Sequence, residues 1–171
     1  MTGLCFVDAN VLIYARDPRD RAKQARAEQW IRKLFIQRCG RTSTQVLSEF
    51  YVVATRKLSP RVAADAAWDF VQDLMQWNPQ PIDGSLLLRA REIEQRWRIS
   101  WWDSMVVAAA QLQGCAILLT EDLQDGAVLG TVTVRNPFTF EVREPAASYN
   151  AGPALASLHR PRGRPRRTAL A

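Results

Sequence analysis

Leu4-Cys5-Phe6-Val7-Asp8-Ala9-Asn10 is followed at once by Val11-Leu12-Ile13-Tyr14-Ala15. Four apolar residues that end on a carboxylate read as a strand buried on both faces of a parallel sheet. The apolar run behind them has the character of a helix start. An acid at the carboxyl end of such a strand stands where open α/β sheets place their ligands. The plain alternative is that Asp8 or Asn10 only caps the helix. Taken alone, the stretch favours the cap, so the decision rests on whether other acids converge on the same sheet edge.

A second stretch of the same kind, Cys115-Ala116-Ile117-Leu118-Leu119, ends in Thr120-Glu121-Asp122. Between the two, helices are expected at about 10–16, 21–38, 44–57, 60–76, 83–97 and 103–113. The punctuation supports them. Cys39-Gly40 reads as the stop of the second helix, and Arg41-Thr42-Ser43 as a short strand or a helix entry. Thr42 and Gln45 have capping-box spacing for the third, Pro60 opens the fourth, and Gly114 stops the sixth. Ala22, Ala25, Trp30, Leu34 and Phe35 are candidates for the inner face of the second helix. A loop through Gly126 and Gly130 leads to a last strand, Val132-Thr133-Val134. Strands alternating with helices predict an α/β fold with a parallel sheet.

The chain has 171 residues, 47% of them hydrophobic, with six tryptophans, enough for one domain with a sizeable core. No apolar run is long enough to span a bilayer. The first residues lack a basic segment and Asp8 interrupts their apolar run, which argues against a signal peptide. Cys5, Cys39 and Cys115 lack CxxC spacing; Cys5 and Cys115 adjoin strand-like segments and read as small buried hydrophobes. A cytoplasmic protein without membrane contact is expected.

The net charge of +6 is unevenly placed. From Ser148 onward the chain carries Arg160, Arg162, Arg164, Arg166 and Arg167 and no acid, so the first 147 residues are nearly neutral. Residues 1–144 are expected to form the domain, and 145–171 a disordered basic tail rich in Pro, Ala and Arg. Such a tail either binds nucleic acid nonspecifically through counterion release or is idle. The only histidine, His159, lies in it, which argues against zinc and histidine-based catalysis in the body.

The acids of the body carry the chemistry. Glu49 has Val46 and Val53 as helical neighbours, which sets it at the edge of an apolar stripe. Asp103 is followed at helical spacing by Val106, Val107 and Ala110, so it is either a helix N-cap or a functional acid, or both. Asp122 follows the second buried strand, where turn-forming acids are common, and Glu121 stands beside it. Right-handed crossovers would bring Asp8, Glu49, Asp103 and Asp122 to one edge of the sheet. Four carboxylates gathered there repel one another unless a cation is present, and carboxylate oxygens suit a hard cation such as Mg²⁺.

Phe6-Val7-Asp8-Ala9-Asn10-Val11-Leu12, Gln45-Val46-Leu47-Ser48-Glu49-Phe50, Ser100-Trp101-Trp102-Asp103-Ser104 and Leu118-Leu119-Thr120-Glu121-Asp122-Leu123 resemble, in order, the blocks of the PIN domain, and more closely the VapC-type toxin ribonucleases of toxin–antitoxin pairs. The resemblance covers about residues 3–140. It implies a three-layer α/β/α sandwich with a mostly parallel sheet, dependence on Mg²⁺ or Mn²⁺, and endonucleolytic cleavage of RNA. It also implies a homodimer and inhibition by a cognate antitoxin. Carried over, the four acids fall on Asp8, Glu49, Asp103 and Asp122; of these, Asp8 and Asp103 are expected to be the direct metal ligands. Asn10 and Thr120 support them, and Glu121 competes with Asp122 for the fourth place. Arg16, Arg19, Arg21, Lys23 and Arg26 would steer phosphates or merely form a solvated face. Trp101 and Trp102 would stack bases or pack. Two other readings stand beside this one. One is a PIN scaffold that binds RNA or a partner without cleaving. The other is a haloacid-dehalogenase-like phosphatase, which wants Asp-x-Asp where this chain has Asn10.

Overall fold

The computed structural model of the protein describes residues 3–139. The strands are β1 (Cys5–Val7), β2 (Gly40–Arg41), β3 (Ile117–Leu119), β4 (Val128–Leu129) and β5 (Val132–Arg135). The helices are α1 (Ala9–Tyr14), α2 (Arg21–Ile36), α3 (Thr44–Arg56), α4 (Ala64–Leu74), α5 (Gly84–Trp97) and α6 (Trp101–Leu112). The sheet order is β2-β1-β3-β5-β4. All pairs are parallel except β4 with β5. This is the expected α/β fold, a mostly parallel sheet flanked by helices.

The central strands explain the sequence pattern. Phe6, Val7, Leu118 and Leu119 are fully buried, because β1 and β3 pair side by side in the middle of the sheet and have no solvent face. The register sets Val7 against Leu119, so the residues that follow each strand, Asp8 and Thr120, emerge at the same edge. A backbone bond from Asp8 N–H to the Leu119 carbonyl (3.1 Å) fastens that edge. Helix α6 is buried from Ser104 to Ala110, as its all-round apolar sequence predicts. Among the described residues no helix is long and apolar enough to cross a membrane.

Several boundaries differ from the sequence reading, each for a local reason. Helix α2 ends at Ile36, with Arg38 in the left-handed region (φ 53°), so Gly40 is not its stop. Gly40 instead lies in β2, where a Cβ would collide with the buried Trp77 ring. Within α2 the buried face is Ala27, Trp30, Ile31 and Leu34, while Ala22 and Ala25 are exposed. The cap of α3 is Ser43, whose Oγ accepts from Val46 N–H. Thr42 is used elsewhere: its hydroxyl donates to the Val7 carbonyl (3.2 Å). Helix α4 starts at Ala64 and not at Pro60, since Val62 N–H is tied to the Ala54 carbonyl and holds the chain extended up to Ala63. The loop expected before β5 contains β4, closed into a hairpin through Gly130 (φ 66°). The tail from 145 onward, the domain border at 144 and His159 lie outside the described residues.

Candidate active site

Asp8 leaves β1 and also caps α1: one carboxylate oxygen accepts from Ala9 N–H at 2.7 Å. The alternatives posed by the sequence, cap or functional acid, are therefore not exclusive. Its other oxygen accepts from the Thr120 hydroxyl at 2.8 Å. Thr120 is completely buried, and its oxygen in turn accepts from the Asn10 side-chain amide (2.9 Å) and from Asp122 N–H (3.2 Å). A hydroxyl has one proton and two lone pairs, so Thr120 is saturated. The second strong bond of the Asn10 amide goes to Asp122 Oδ2 at 2.9 Å. The ends of β1 and β3 are thus locked together through Asp8, Asn10, Thr120 and Asp122.

Asp103 stands in the first turn of α6, whose cap is Ser100. Asp103 is not the cap, because Ser100 takes that role and leaves Trp101 and Trp102 as the first helical residues. The two side chains bond reciprocally: Asp103 N–H donates to Ser100 Oγ (3.1 Å), and the Ser100 hydroxyl donates to Asp103 Oδ2 (2.6 Å). The carboxylate is oriented by its own helix start. Glu49 lies one turn after Gln45 on α3, on the same side of the helix.

Asp8, Glu49, Asp103 and Asp122 line one cavity of about 120 Å³, together with Ala9, Asn10, Ile13, Gln45, Trp102 and Val106. Four segments that are remote in sequence supply these acids, and no lysine or arginine is among the lining residues. The cost of the arrangement shows in proton affinity. Burial pushes the Asp8 carboxyl from 3.8 up to about 7; the Thr120 and Ala9 hydrogen bonds oppose the rise, and the charges of Asp122 and Glu49 add to it. Glu49 is also raised, by partial burial and by Asp122 and Asp103, with Lys57 opposing.

Glu121 and Asp122 face different surroundings. Glu121 accepts from Lys23 Nζ at 2.6 Å, and the same ammonium bonds the Tyr14 hydroxyl at 3.0 Å. Glu121 therefore belongs to a surface ion pair, and Asp122 lines the cavity. Two arginines between the first helices are also engaged. Arg19 is held by Asp17 at 2.7 Å, and Arg16 lies over the Phe70 ring. Trp101 is partly buried against the core, whereas Trp102 is 65% exposed at the cavity. Sequence reasoning missed Gln45 as a lining residue. Its position four residues before Glu49 is the signal that points to it.

A hard cation fits this donor set, which offers only oxygen atoms and has no competing cation in its walls. Among the described residues no group of three or more His, Cys, Asp or Glu could hold a metal ion by itself; an ion among these acids would have to complete its shell with water. Two larger cavities, one of about 310 Å³ between α5, α6 and the β4–β5 turn and one of about 350 Å³ beside Leu4 and Arg41, gather no such set of acids.

No curated protein sequence matches the chain. Among solved structures, the Mycobacterium tuberculosis toxin VapC20, which cleaves the sarcin–ricin loop, superposes with a TM-score of 0.51. That match has 17% identity and covers 69% of this chain and 89% of that one; it is a likeness of fold. The family profile of the PIN domain matches residues 5–124, the span that carries all four acids. PIN domains are typically nucleases and generally metal-dependent. By that match, and with the acids gathered at the expected sheet edge, the chain belongs to the PIN domain family.

Proposed function

We propose that this protein is a metal-dependent endoribonuclease, the toxin of a toxin–antitoxin pair, with RNA as substrate and a cognate antitoxin and a second copy of itself as partners. The observation that carries the chemistry is the convergence of four carboxylates from four segments on one cavity whose walls offer no cation. The toxin assignment draws on the likeness to VapC20 and on the four sequence blocks.

Asp8 and Asp103 would hold Mg²⁺, with Mn²⁺ as a substitute, and Asp122 and Glu49 would act through water. Bound there, the ion supplies positive charge that offsets the acids and the charge developing on the phosphate. Thr120 and Asn10 fix the Asp8 and Asp122 carboxylates before substrate arrives, so little reorganisation is left for the reaction itself. Glu49, whose proton affinity is raised by its surroundings, takes a proton from the attacking water at a carboxylate oxygen. The water oxygen bonds to phosphorus and the bond to the 3′ oxygen breaks; the leaving 3′ oxygen takes a proton from solvent water, so the products carry a 5′-phosphate and a 3′-hydroxyl. The 2′-hydroxyl takes no part.

The test is cleavage of RNA in Mg²⁺ and in EDTA by the wild type and by Asp8→Asn. Cleavage that needs Mg²⁺ and Asp8 and leaves 5′-phosphates is expected. Undiminished cleavage by Asp8→Asn sinks the assignment. RNA binding without any cleavage favours the scaffold reading. Complete resistance of a substrate with a single 2′-deoxy nucleotide at the scissile position, with binding intact, contradicts the water route. A short reading frame overlapping the start of this one would support the antitoxin partner.

A further inference from the structure

We propose that Gln45, together with the side-chain carbonyl of Asn10, holds the hydration water of a divalent cation bound among the four acids, an assignment that rests on the metal-dependent reading above. Four buried side-chain polar atoms among the described residues have no hydrogen-bond partner, and two of them, Gln45 Oε1 and Asn10 Oδ1, belong to lining residues of the acid cavity. Gln45 is only 7% exposed. A buried acceptor without a donor is costly, and native proteins seldom keep one without reason.

The two amides come from different elements, α1 and α3, yet line the same small space. The orientation of Asn10 is fixed, because its amide nitrogen is spent on Thr120 and Asp122. Turning the side chain over would set a carbonyl against a carboxylate. Gln45 rides on the same rigid face of α3 as Glu49, one turn earlier. What both carbonyls lack is a hydrogen donor, and the four carboxylates beside them are acceptors only when ionised. Water on a divalent cation is a strong donor, and Mg²⁺ gives up its water reluctantly. A cavity of about 120 Å³ has room for an ion that carries water. The acids supply charge, and the amides orient the water that the ion keeps. Gln45 is therefore a positioning residue for the hydrated ion.

The experiment is a Mn²⁺ titration of the full chain, read from the EPR signal of free Mn²⁺, with urea unfolding in EDTA alongside. Wild type, Asp8→Asn, Gln45→Leu and Gln45→Glu are compared. Gln45→Leu should lower Mn²⁺ affinity about tenfold or more while its urea midpoint in EDTA equals or exceeds that of the wild type, since the orphaned acceptor is gone. Gln45→Glu keeps an acceptor oxygen and should bind at least as tightly as the wild type. Wild-type Mn²⁺ affinity in Gln45→Leu overturns the inference, as does an equal loss in Gln45→Glu. If the wild type takes up no Mn²⁺, or Asp8→Asn takes it up as well as the wild type, the metal-dependent reading fails and the inference fails with it. If only Asp8→Asn loses the ion, the inference alone fails.

Discussion

Replacing Asp8 by Asn should stabilise the metal-free protein at pH 8 and not at pH 4.5. Asp8 is 7% exposed, and burial lifts its carboxyl from 3.8 to about 7. The sign follows from proton counting. Below about pH 4 both folded and unfolded chains hold the proton. Between about pH 4 and 7 the unfolded chain has lost it while the folded one still binds it, so stability falls as pH rises through that window. Above about pH 7 the whole penalty is present, and a rise from 3.8 to about 7 corresponds to about 4 kcal/mol. Asparagine removes that penalty, but its NH₂ group cannot accept the Thr120 proton, a loss of about 1 kcal/mol. The net gain at pH 8 is then roughly 2–3 kcal/mol, a shift of about 0.7–3 M in urea midpoint for a slope of about 1–3 kcal/mol/M. At pH 4.5 the unfolded chain has already lost most of this proton, so about 1 kcal/mol of the penalty is present; the lost hydrogen bond offsets it, and the two proteins should be about equally stable. The assay is urea unfolding of both proteins in EDTA at the two pH values. Groups common to both chains largely cancel in the difference, which isolates Asp8. With saturating Mg²⁺ the gap at pH 8 should close, because ligand binding to the folded wild type restores stability. An Asp8→Asn difference that is the same at pH 4.5 and pH 8 without metal would refute the reasoning.

Three further outcomes are expected. Glu49→Gln keeps the shape but cannot take the proton from water, so RNA cleavage in Mg²⁺ should fall by about 10²-fold or more; single-turnover rates within threefold of the wild type would exclude Glu49 from that role. Trp102→Ala should leave the urea midpoint nearly unchanged, since the indole is 65% exposed, yet weaken single-stranded RNA binding by about 1–3 kcal/mol if bases stack on it, as fluorescence anisotropy with a labelled oligonucleotide would show. Gly40→Ala drives a methyl group into the buried Trp77 ring and should cost about 1–3 kcal/mol of stability in the same urea assay.

The paired cap at Ser100 and Asp103 shows how the legible and the illegible are divided. The sequence made clear that an acid preceded a buried apolar helix, because the Val106, Val107 and Ala110 spacing is local information. Which residue capped the helix was decided by competition between two good candidates one turn apart, and Ser100 won through its reciprocal bonds with Asp103. Gly40 is a similar case. Its glycine read as a helix stop, but the reason for it is the Trp77 ring, 37 residues away in the chain. Pro60 and the β4 strand were misread because their roles are set by backbone partners, Ala54 for Val62 and β5 for β4, that no local pattern names.

By itself the sequence determined the fold class and the candidate acids. Apolar runs ending on Asp8 and on Thr120-Glu121-Asp122 suit buried parallel strands, since a strand buried on both faces has no polar face to alternate with. Only the tertiary structure decided between neighbours. It set Glu121 against Lys23 and Asp122 against Asn10, left Trp102 open while packing Trp101, and left the side-chain carbonyl of Gln45, a lining residue of the acid cavity, without a hydrogen donor. The physical reason is that burial pattern is written locally along the chain, whereas hydrogen-bond partners and proton affinities depend on what the opposite side of the fold brings within 3 Å of a side chain.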